Sequence, residues 1–267
     1  MRLSAFIGLM VLFGLWELVH HRRALVLPKW RRWTTNLSMA VLNSLVLRFG
    51  LPILAVAAAE IAQLRGWGVL TLFDLSAGAH ILVSLIVLDG LIYAQHMIFH
   101  KVPWLWRLHR VHHGDRDLDV TTAVRFHPIE IVLSMAIKIG AVIALGVSPV
   151  AVIFFEILLN GVAMFNHSNI VLWPWLDRGL RWVIVTPDMH QLHHSTKKTE
   201  HDSNYGFNLS CWDRLFGTYQ EKTQADLLNV DIGLANYRGG EPARLGWSLW
   251  LPFAQNARQT AAAEERL

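Results

Sequence analysis

Histidines are the residues of this chain whose types and spacing could do chemistry. Nine of the 14 histidines fall into three short boxes and one single position between the last two boxes. These nine are His96, His100, His109, His112, His113, His167, His190, His193 and His194. On a helix, positions i and i+4 share a face, and so do positions i and i+3. Each box is therefore predicted to aim its imidazoles at one point.

The number of candidate ligands predicts more than one metal ion. A tetrahedral zinc takes four ligands, so two metals fit nine aimed imidazoles better than one does. Imidazole without thiolate suits iron, zinc or copper, and the spacing alone leaves that choice open. Cys211 is the only cysteine, which excludes an intramolecular disulfide and a thiolate metal site.

The composition is typical of a protein that lies in a membrane. The sequence of 267 residues is 53% hydrophobic and 16% charged, whereas a soluble domain carries about 25% charged residues. The apolar residues come in long blocks, as in membrane-spanning helices. The net charge is only +4 and most basic residues lie beside apolar blocks. A membrane surface therefore explains them better than nucleic acid does.

Five apolar blocks predict five membrane spans, at residues 4–19, 35–59, 77–98, 129–146 and 149–166. Pro52 is predicted to kink the second span, and residues 60–76 are predicted to form a loop. The last two spans form a helical hairpin with a tight turn at 146–149. The predicted fold is all-α, a polytopic membrane helical bundle of about five spans with a histidine-rich helical cap.

The distribution of basic residues predicts the orientation in the membrane. The loops at 20–34 and 101–127 and the region after 168 fall on one side of a five-span bundle, and these loops carry most of the Lys and Arg near span ends. That side is predicted to be cytoplasmic, and it holds all nine box histidines. Five tryptophans are expected to anchor the same interface: Trp104, Trp106, Trp173, Trp175 and Trp182. Beyond residue 240 the chain is expected to be frayed.

Charged residues inside the apolar blocks are expected to find partners, because a charge at mid-bilayer costs at least ~2.5–3.5 kcal/mol. Lys138 and Glu156 are each nine positions from Val147 in the hairpin turn, so they are predicted to meet across the hairpin. The alternative is that Lys138 extends to the interface and Glu156 is protonated. By the same reasoning Arg48 and Asp89 are predicted to pair, or Asp89 to orient a metal ligand.

The histidine boxes belong to a longer ordered pattern. HxxxH, HxxHH and HxxHH occur in this order around the predicted hairpin, together with segments 125–130 (RFHPIE), 166–169 (NHSN), 186–194 (TPDMHQLHH), 204–206 (NYG) and 212–218 (WDRLFGT). Over roughly residues 80–220 this pattern resembles the fatty acid hydroxylase and sterol desaturase family. The acyl-CoA desaturases also have three histidine boxes, but the HPxE and DRLFGT segments are unlike theirs.

The resemblance implies a non-haem site with two iron ions that uses O2 and two electrons to hydroxylate or desaturate a C–H bond of a lipid. It implies that the eight box histidines are ligands and that His167 is the ninth, although an interfacial histidine is the alternative for His167. Some members have a second histidine four residues before that position, where this chain has Ala163. One metal is then expected to keep a water or an open position, and His127 is the less favoured substitute.

Three regions and several partners follow from these interpretations. Residues 1–76 are predicted to be N-terminal spans, 77–220 the catalytic region and 221–267 a C-terminal tail. Nothing resembles a haem module, a flavin site or a cysteine cluster, so a separate electron donor protein is expected. A lipid substrate and the membrane are the other expected partners, and nucleic acid is not.

Polar residues near the boxes are expected to support the ligands. Asp119, Asp188, Asp202 and Asn204 are candidates to orient the second ring nitrogens. Asp213 and Arg214 are expected to form a structural ion pair or a helix cap.

A membrane zinc hydrolase, or a metal-binding protein without an enzymatic role, is the alternative use of the same boxes. A zinc hydrolase needs a carboxylate general base, which HExxH enzymes carry within the histidine motif. None of the three boxes contains a glutamate.

The topology predicts that the turn at 146–149 and the N-terminus face the non-cytoplasmic side. In a Cys211→Ser background, a cysteine at Ser148 should react with a membrane-impermeant maleimide only from the non-cytoplasmic side. The wild-type chain, whose only cysteine is Cys211, is the control and should react from the cytoplasmic side. Labelling of position 148 from the cytoplasmic side would refute the predicted orientation.

Overall fold

The computed structural model describes residues 2–254, which form helices joined by turns. The long helices are α1 (Arg2–Val19), α2 (Lys29–Gly50), α3 (Ala55–Arg65), α4 (Ala77–Lys101), α6 (Pro128–Leu145) and α7 (Pro149–His167). The short helices are α5 (Pro103–His109), α8 (Pro174–Leu180), α9 (Pro187–His193), α10 (Lys198–His201), α11 (Cys211–Leu215), α12 (Gln224–Leu228) and α13 (Leu245–Trp250). Only isolated β-bridges occur within 2–254, so the all-α prediction is confirmed.

The long helices form a membrane bundle. Four stretches are long and apolar enough to cross a membrane: Lys29–Leu72, Ala77–Lys101, Pro128–Leu145 and Pro149–His167. The first helix contributes a shorter apolar stretch, Leu3–Val19. This confirms a bundle of about five spans. The short helices form the cap, which lies at the ends of the long helices that carry the histidines. The location of this cap on the cytoplasmic side of the membrane stays a prediction.

The second predicted span is broken rather than kinked. Helix α2 ends at Gly50 and α3 runs from Ala55 to Arg65. The loop predicted at 60–76 is therefore wrong for residues 60–65, which are helical. Pro52 lacks an amide hydrogen and restricts the residue before it, which favours a full interruption. Helix α3 packs on α6 and α7, and Gly68, at φ 109°, touches the backbone of Gly146 in the hairpin turn. Helices α2 and α3 together therefore make one crossing.

The hairpin of α6 and α7 is confirmed. Gly146 ends α6 in the left-handed conformation, at φ 72°. Ser148 caps α7, because its side chain accepts a hydrogen bond from the amide of Ala151 at 3.3 Å. Lys138 Nζ lies 3.4 Å from Glu156 Oε1, so the predicted pair across the hairpin is also confirmed.

Asp89 does not pair with Arg48, and that prediction is wrong. Its carboxylate accepts hydrogen bonds from the amide of Leu209 at 3.0 Å and from Trp212 Nε1 at 2.9 Å. It also lies 3.3 Å from the amide of Asn208. Asp89 therefore fixes α4 to the cap. None of these hydrogen bonds is to a box histidine, so they do not support the alternative that Asp89 orients a metal ligand.

Two basic residues assigned to the membrane surface are instead buried in ion pairs. Arg32 binds Asp115 at 2.7 Å and Asp119 at 2.5 Å. Burial alone would raise the pKa of Asp115, but the Arg32 guanidinium outweighs it and lowers that pKa to about 2. Arg22 pairs with Asp188 beside the third box. These arginines connect the N-terminal segment to the cap.

The chain between 240 and 254 is packed, so the expected fraying is wrong there. Ser248 and the carbonyl of Pro242 accept hydrogen bonds from buried Arg125 at 2.7 and 2.8 Å. Leu251 is buried against α2 and the second box. Residues 255–267, the rest of the predicted tail, lie outside the described residues.

Four of the five candidate anchor tryptophans have the exposure that an interfacial role requires: Trp104, Trp173, Trp175 and Trp182. Trp106 does not, because its ring stacks on His201 and lies against His100 and His113. Trp106 therefore belongs to the wall of the histidine cluster.

Replacing Arg32 should destabilise the protein strongly, because Arg32→Met leaves several buried carboxylates without their cation. The expected loss is about 3–5 kcal/mol of unfolding free energy. Thermal or denaturant unfolding of the full chain in detergent measures it. The matched control is Arg31→Met, one residue away and exposed, which should change stability by less than about 0.5 kcal/mol. Equal effects of the two substitutions would contradict the role of Arg32.

Candidate metal centre

All nine predicted ligands come together where the C-terminal ends of α4 and α7 meet the cap, in two adjoining groups. The first group contains His96, His100, His109, His113 and His193, and the second contains His112, His167, His190 and His194. Within each group one ring nitrogen of every member lies within 4.8 Å of the others. The groups touch where His113 stacks on His194, with ring centroids 4.4 Å apart. Their assignment as ligands remains a proposal.

The boxes do not each aim at one point, and that expectation is wrong for the two HxxHH boxes. In the second box the first and last histidines (His109, His113) join one group and His112 joins the other. In the third box the first and last (His190, His194) stay together and His193 crosses to the first group. Positions i and i+4 stay on one face, while the histidine at i+3 reaches the neighbouring group. Each HxxHH box therefore connects the two centres.

Backbone carbonyls fix the protonation of several rings. His96 Nδ1 donates to the carbonyl of Tyr205 at 2.8 Å, and His193 Nδ1 donates to the carbonyl of Ser203 at 2.7 Å. In the neutral ring the other nitrogen, Nε2, then carries a lone pair. These two Nε2 atoms face each other at 3.0 Å. Two lone pairs at this separation repel unless a cation lies between them.

The spacing of the ring nitrogens fits a shared cation. The closest Nε2–Nε2 distances run from 2.9 Å (His167–His190) to 3.2 Å (His190–His194). For a metal–nitrogen bond of about 2.1 Å, tetrahedral ligands lie about 3.4 Å apart and adjacent octahedral ligands about 3.0 Å apart. The observed distances are thus of the size expected between ligands of one metal ion.

Burial keeps the rings uncharged and able to bind a metal. Burial lowers the pKa of His109 to about 3. Burial and the neighbouring imidazoles together lower the pKa values of His112, His113, His190, His193 and His194 well below the ordinary range. Neutral imidazole is the form that coordinates metal ions.

The residues that orient the rings are mostly not the ones expected. Glu130 accepts a hydrogen bond from His109 Nδ1 at 2.6 Å, and the carbonyl of Ala163 accepts one from His167 Nδ1 at 2.7 Å. Of the four expected residues, only Asp202 approaches a box histidine, with His100 Nδ1 at 3.5 Å. Asp119 and Asp188 bind arginines, and Asn204 binds the backbone of Met189 and Gln220. In the sequence, the only indication that Glu130 belongs to the site was its position in the HPxE segment.

Arg125 and Asp213 bind backbone groups of the segments that carry or orient the box histidines. Arg125 donates to the carbonyl of Val111, between the histidines of the second box, at 2.8 Å. Asp213 accepts from the amides of Tyr205 and Gly206 at 2.7 and 2.8 Å and so fixes the turn that carries a carbonyl bound to His96. The expected pairing of Asp213 with Arg214 is wrong, since Arg214 lies over the rings of Trp182 and Tyr219.

His127 does not complete either group. Its Nδ1 accepts from the amide of Ile129 at 3.2 Å, as a cap of α6, and its Nε2 donates to the carbonyl of Leu249 at 3.3 Å. The structural interpretation of His127 therefore fits its contacts. The second group has four histidines where the first has five, and Ala163 lies one helical turn before His167.

A cavity of about 400 Å³ leads from the histidines into the membrane bundle. His96, His109 and Ala163 lie at its inner end, and apolar side chains from α2, α4, α6 and α7 form much of its wall. A mostly apolar cavity between membrane helices suits a lipid chain and keeps bulk water from the histidines. The site can therefore bring a metal centre and an apolar molecule into contact.

Comparisons with known proteins agree on one family. A family model described as fatty acid hydroxylase matches residues 81–218, about half of the chain. The ornithine lipid hydroxylase OlsE of Rhizobium tropici is 27% identical over 58% of this chain and 45% of its own length. An alkylglycerol monooxygenase of Xenopus tropicalis is 32% identical over 46% of this chain and 27% of its own.

A cholesterol 25-hydroxylase of Rattus norvegicus is 28% identical over 52% of this chain and 46% of its own length. The chain thus spans less than half the length of each of these curated relatives. No solved structure matches the chain.

The two groups predict about two metal ions per chain, because nine imidazoles exceed the needs of one ion. Elemental analysis of the purified full chain measures the content. His190→Ala removes a ring that contacts both His167 and His194, and should lower the content to about one ion or less. His20→Ala, an exposed histidine outside the groups, should retain both. One ion in the wild type, or two in His190→Ala, would contradict the assignment.

Proposed function

The chain belongs to the fatty acid hydroxylase family, and from that premise we propose that it oxidises a C–H bond of a membrane lipid. The proposed centre has two iron ions held by the nine histidines, with O2 as co-substrate. The observation that carries the proposal is the pair of Nε2 lone pairs of His96 and His193, which face each other at 3.0 Å at the end of a lipid-sized cavity. Hydroxylation and desaturation are the two forms of this reaction.

The proposed reaction supports a redox-active metal over zinc, and the family resemblance favours iron among such metals. The donor set itself is compatible with this choice, because imidazole ligands suit iron, zinc and copper alike. When bound with O2, two redox-active ions supply the oxidising power that an unactivated C–H bond requires and that side chains lack. The histidines hold the ions, and the carbonyls of Tyr205 and Ser203 orient two of the rings.

The cavity supports a lipid substrate. Phe99, Phe126 and Phe207 surround its inner end, and Phe126 stacks on His112 with ring centroids 4.5 Å apart. These rings exclude water from the reacting carbon and place an apolar chain against the histidines. The three relatives are named as hydroxylases or monooxygenases, and each name specifies a lipid.

We also propose that the electrons come from a separate donor protein and that the histidine groups lie on the cytoplasmic side. Cys211 is the sole cysteine, so a cysteine-ligated cluster cannot form within these 267 residues. The basic loops at 20–34 and 101–127 support the orientation.

Lipid profiling under isotopically heavy O2 tests the proposal. Cells that express the full chain should contain a lipid that has gained one heavy oxygen atom, or has lost two hydrogens, relative to cells without it. His193→Ala should abolish the product, because it removes a member of the first group, while His20→Ala should form it normally. A product that takes its oxygen from water and forms without O2 would instead indicate the zinc hydrolase.

A further inference from the structure

Electrons from a separate donor protein have to cross the wall around the histidines. None of the nine box histidines is more than 8% exposed, so a docked protein meets other side chains first. A donor therefore needs side chains that reach both the protein surface and the histidine groups. Two partly exposed rings, Trp106 and His201, meet this requirement.

Trp106 and His201 form a stack that continues into the first histidine group. Their two rings are nearly parallel, at 13°, with centroids 5.2 Å apart. The Trp106 ring also lies 4.8 Å from the ring of His100 and 5.2 Å from the ring of His113. His113 in turn stacks on His194 of the second group, with centroids 4.4 Å apart. Ring contacts alone therefore connect His201 with both histidine groups.

Three exposed lysines lie beside this stack: Lys101, Lys197 and Lys198. The carbonyl of Lys197 accepts a hydrogen bond from the amide of His201 at 2.9 Å. Burial lowers the pKa of His201; Asp202 opposes this shift, and the ammonium groups of Lys198 and Lys101 add to it. Both ammonium groups are thus near the His201 ring, and the surface beside the stack carries three cations.

The acidic side chains in this region are more buried than the lysines, so the outward charge is positive. The Lys101 side chain is 54% exposed, whereas that of its partner Asp202 is 17% exposed. The Lys197 side chain is 72% exposed, whereas that of its partner Glu200 is 11% exposed. Such a surface attracts a protein with an acidic face and steers it before contact is made.

A second run of rings also leads from the surface to the first group. Exposed Phe216 stacks on Tyr93, with centroids 5.3 Å apart. Tyr93 lies 6.4 Å from Tyr205, whose ring is 5.1 Å from that of His100. This run is one ring longer, and Tyr93 belongs to an apolar helix long enough to cross the membrane. The shorter route is therefore favoured for a donor that approaches from water.

We propose that the electron donor is a one-electron carrier protein with an acidic face, which docks on Lys101, Lys197 and Lys198 and transfers electrons through His201 and Trp106. For hydroxylation, two such electrons, two protons and one O2 convert a C–H bond of the lipid to C–OH and release one water. For desaturation, the same inputs remove two hydrogens from the lipid and release two waters. The donor leaves each encounter oxidised by one electron. This inference rests on the proposed lipid oxidation, which requires two external electrons.

Binding of a plant-type [2Fe–2S] ferredoxin with a net negative charge tests the docking surface. The metal-loaded full chain is held in nanodiscs of zwitterionic lipid, and oxidised ferredoxin is titrated without O2 or reductant. The triple variant Lys101→Gln, Lys197→Gln and Lys198→Gln should weaken binding about tenfold. Added salt should weaken binding to the wild type more than binding to this variant.

A matched control removes three exposed cations on other segments of the chain, with Arg31→Gln, Arg178→Gln and Arg244→Gln. This control changes the net charge by the same amount and should bind ferredoxin like the wild type. No binding of ferredoxin to the wild type, or equal weakening in the two triple variants, would overturn the proposal.

The rate of electron transfer tests the stack separately from docking. Reduced ferredoxin is mixed with the oxidised, metal-loaded chain without O2 or lipid substrate, and its oxidation is followed by absorbance. At saturating ferredoxin, Trp106→Leu should slow the transfer several-fold with an unchanged Kd, and Trp106→Phe, which retains a ring, should restore most of the rate. Trp104→Leu, at an exposed neighbour, should leave the rate unchanged.

Two further variants keep the route testable. If Trp106→Leu loses metal on elemental analysis, His201→Leu provides the same measurement one ring further from the histidine groups. Phe216→Leu should transfer electrons normally. Slow transfer in Phe216→Leu beside normal transfer in Trp106→Leu would assign entry to the longer run of rings and overturn the proposed route.

The inference and the proposed function can fail separately. Binding that depends on the three lysines, with no electrons accepted by the chain, overturns the proposed oxidation and retains only the docking surface. Lipid oxidation driven by ferredoxin whose binding and electron transfer are insensitive to both the lysine and the Trp106 substitutions overturns only this inference.

Discussion

The repulsion among nine buried, neutral imidazoles is the constraint on which the rest of the structure depends. The Nε2 lone pairs of His96 and His193 face each other at 3.0 Å. Burial lowers the pKa of His109 beside them and so disfavours protonated rings. A cation bound by these ring nitrogens, as proposed, would turn this repulsion into attraction and would couple metal binding to folding of the cap. Backbone carbonyls hold the rings of His96 and His193 in place through their Nδ1 atoms. The turns that supply those carbonyls are fixed in turn by buried side chains such as Asp213.

The geometry of a helical turn explains why each HxxHH box divides its histidines between the two groups; in the second box this turn directly follows α5. Positions i and i+4 are almost in line along the helix, whereas i+3 is rotated to the other side of that line. His109 and His113 therefore serve one group while His112 serves the other, and the third box repeats this division with the groups exchanged. The HxxxH box has no residue at i+3 and serves the first group alone. A single further histidine, His167, then completes the second group.

Features that depend on local periodicity could be predicted from the sequence, and features that depend on long-range contacts could not. The hairpin and the Lys138–Glu156 pair follow from spacing along two adjacent helices. The gathering of the nine histidines joins distant parts of the chain, and the ordered motif pattern, rather than spacing, predicted it. The burial of Arg32 does not, because its carboxylate partners lie more than 80 positions away. Asp89 is similar: its depth in a span predicted a partner, but that partner is the cap rather than Arg48. Glu130 was visible only as part of a motif, since nothing in its spacing indicates contact with His109.

The buried polar residues fall into two kinds that differ in how fully their hydrogen bonds are made. Arg125 in the cap uses its guanidinium on Val111, Asn36, Pro242 and Ser248, and such saturated groups specify one packing. In the cavity wall, Asn43 and Gln95 each retain a buried acceptor without a partner among the described residues. A fold selected only for stability would pair these acceptors or replace them with apolar groups, because an unmet buried acceptor costs about 1–3 kcal/mol. Because Asn43 and Gln95 line a cavity, a ligand or water inside it can donate the hydrogen bonds that their acceptors lack.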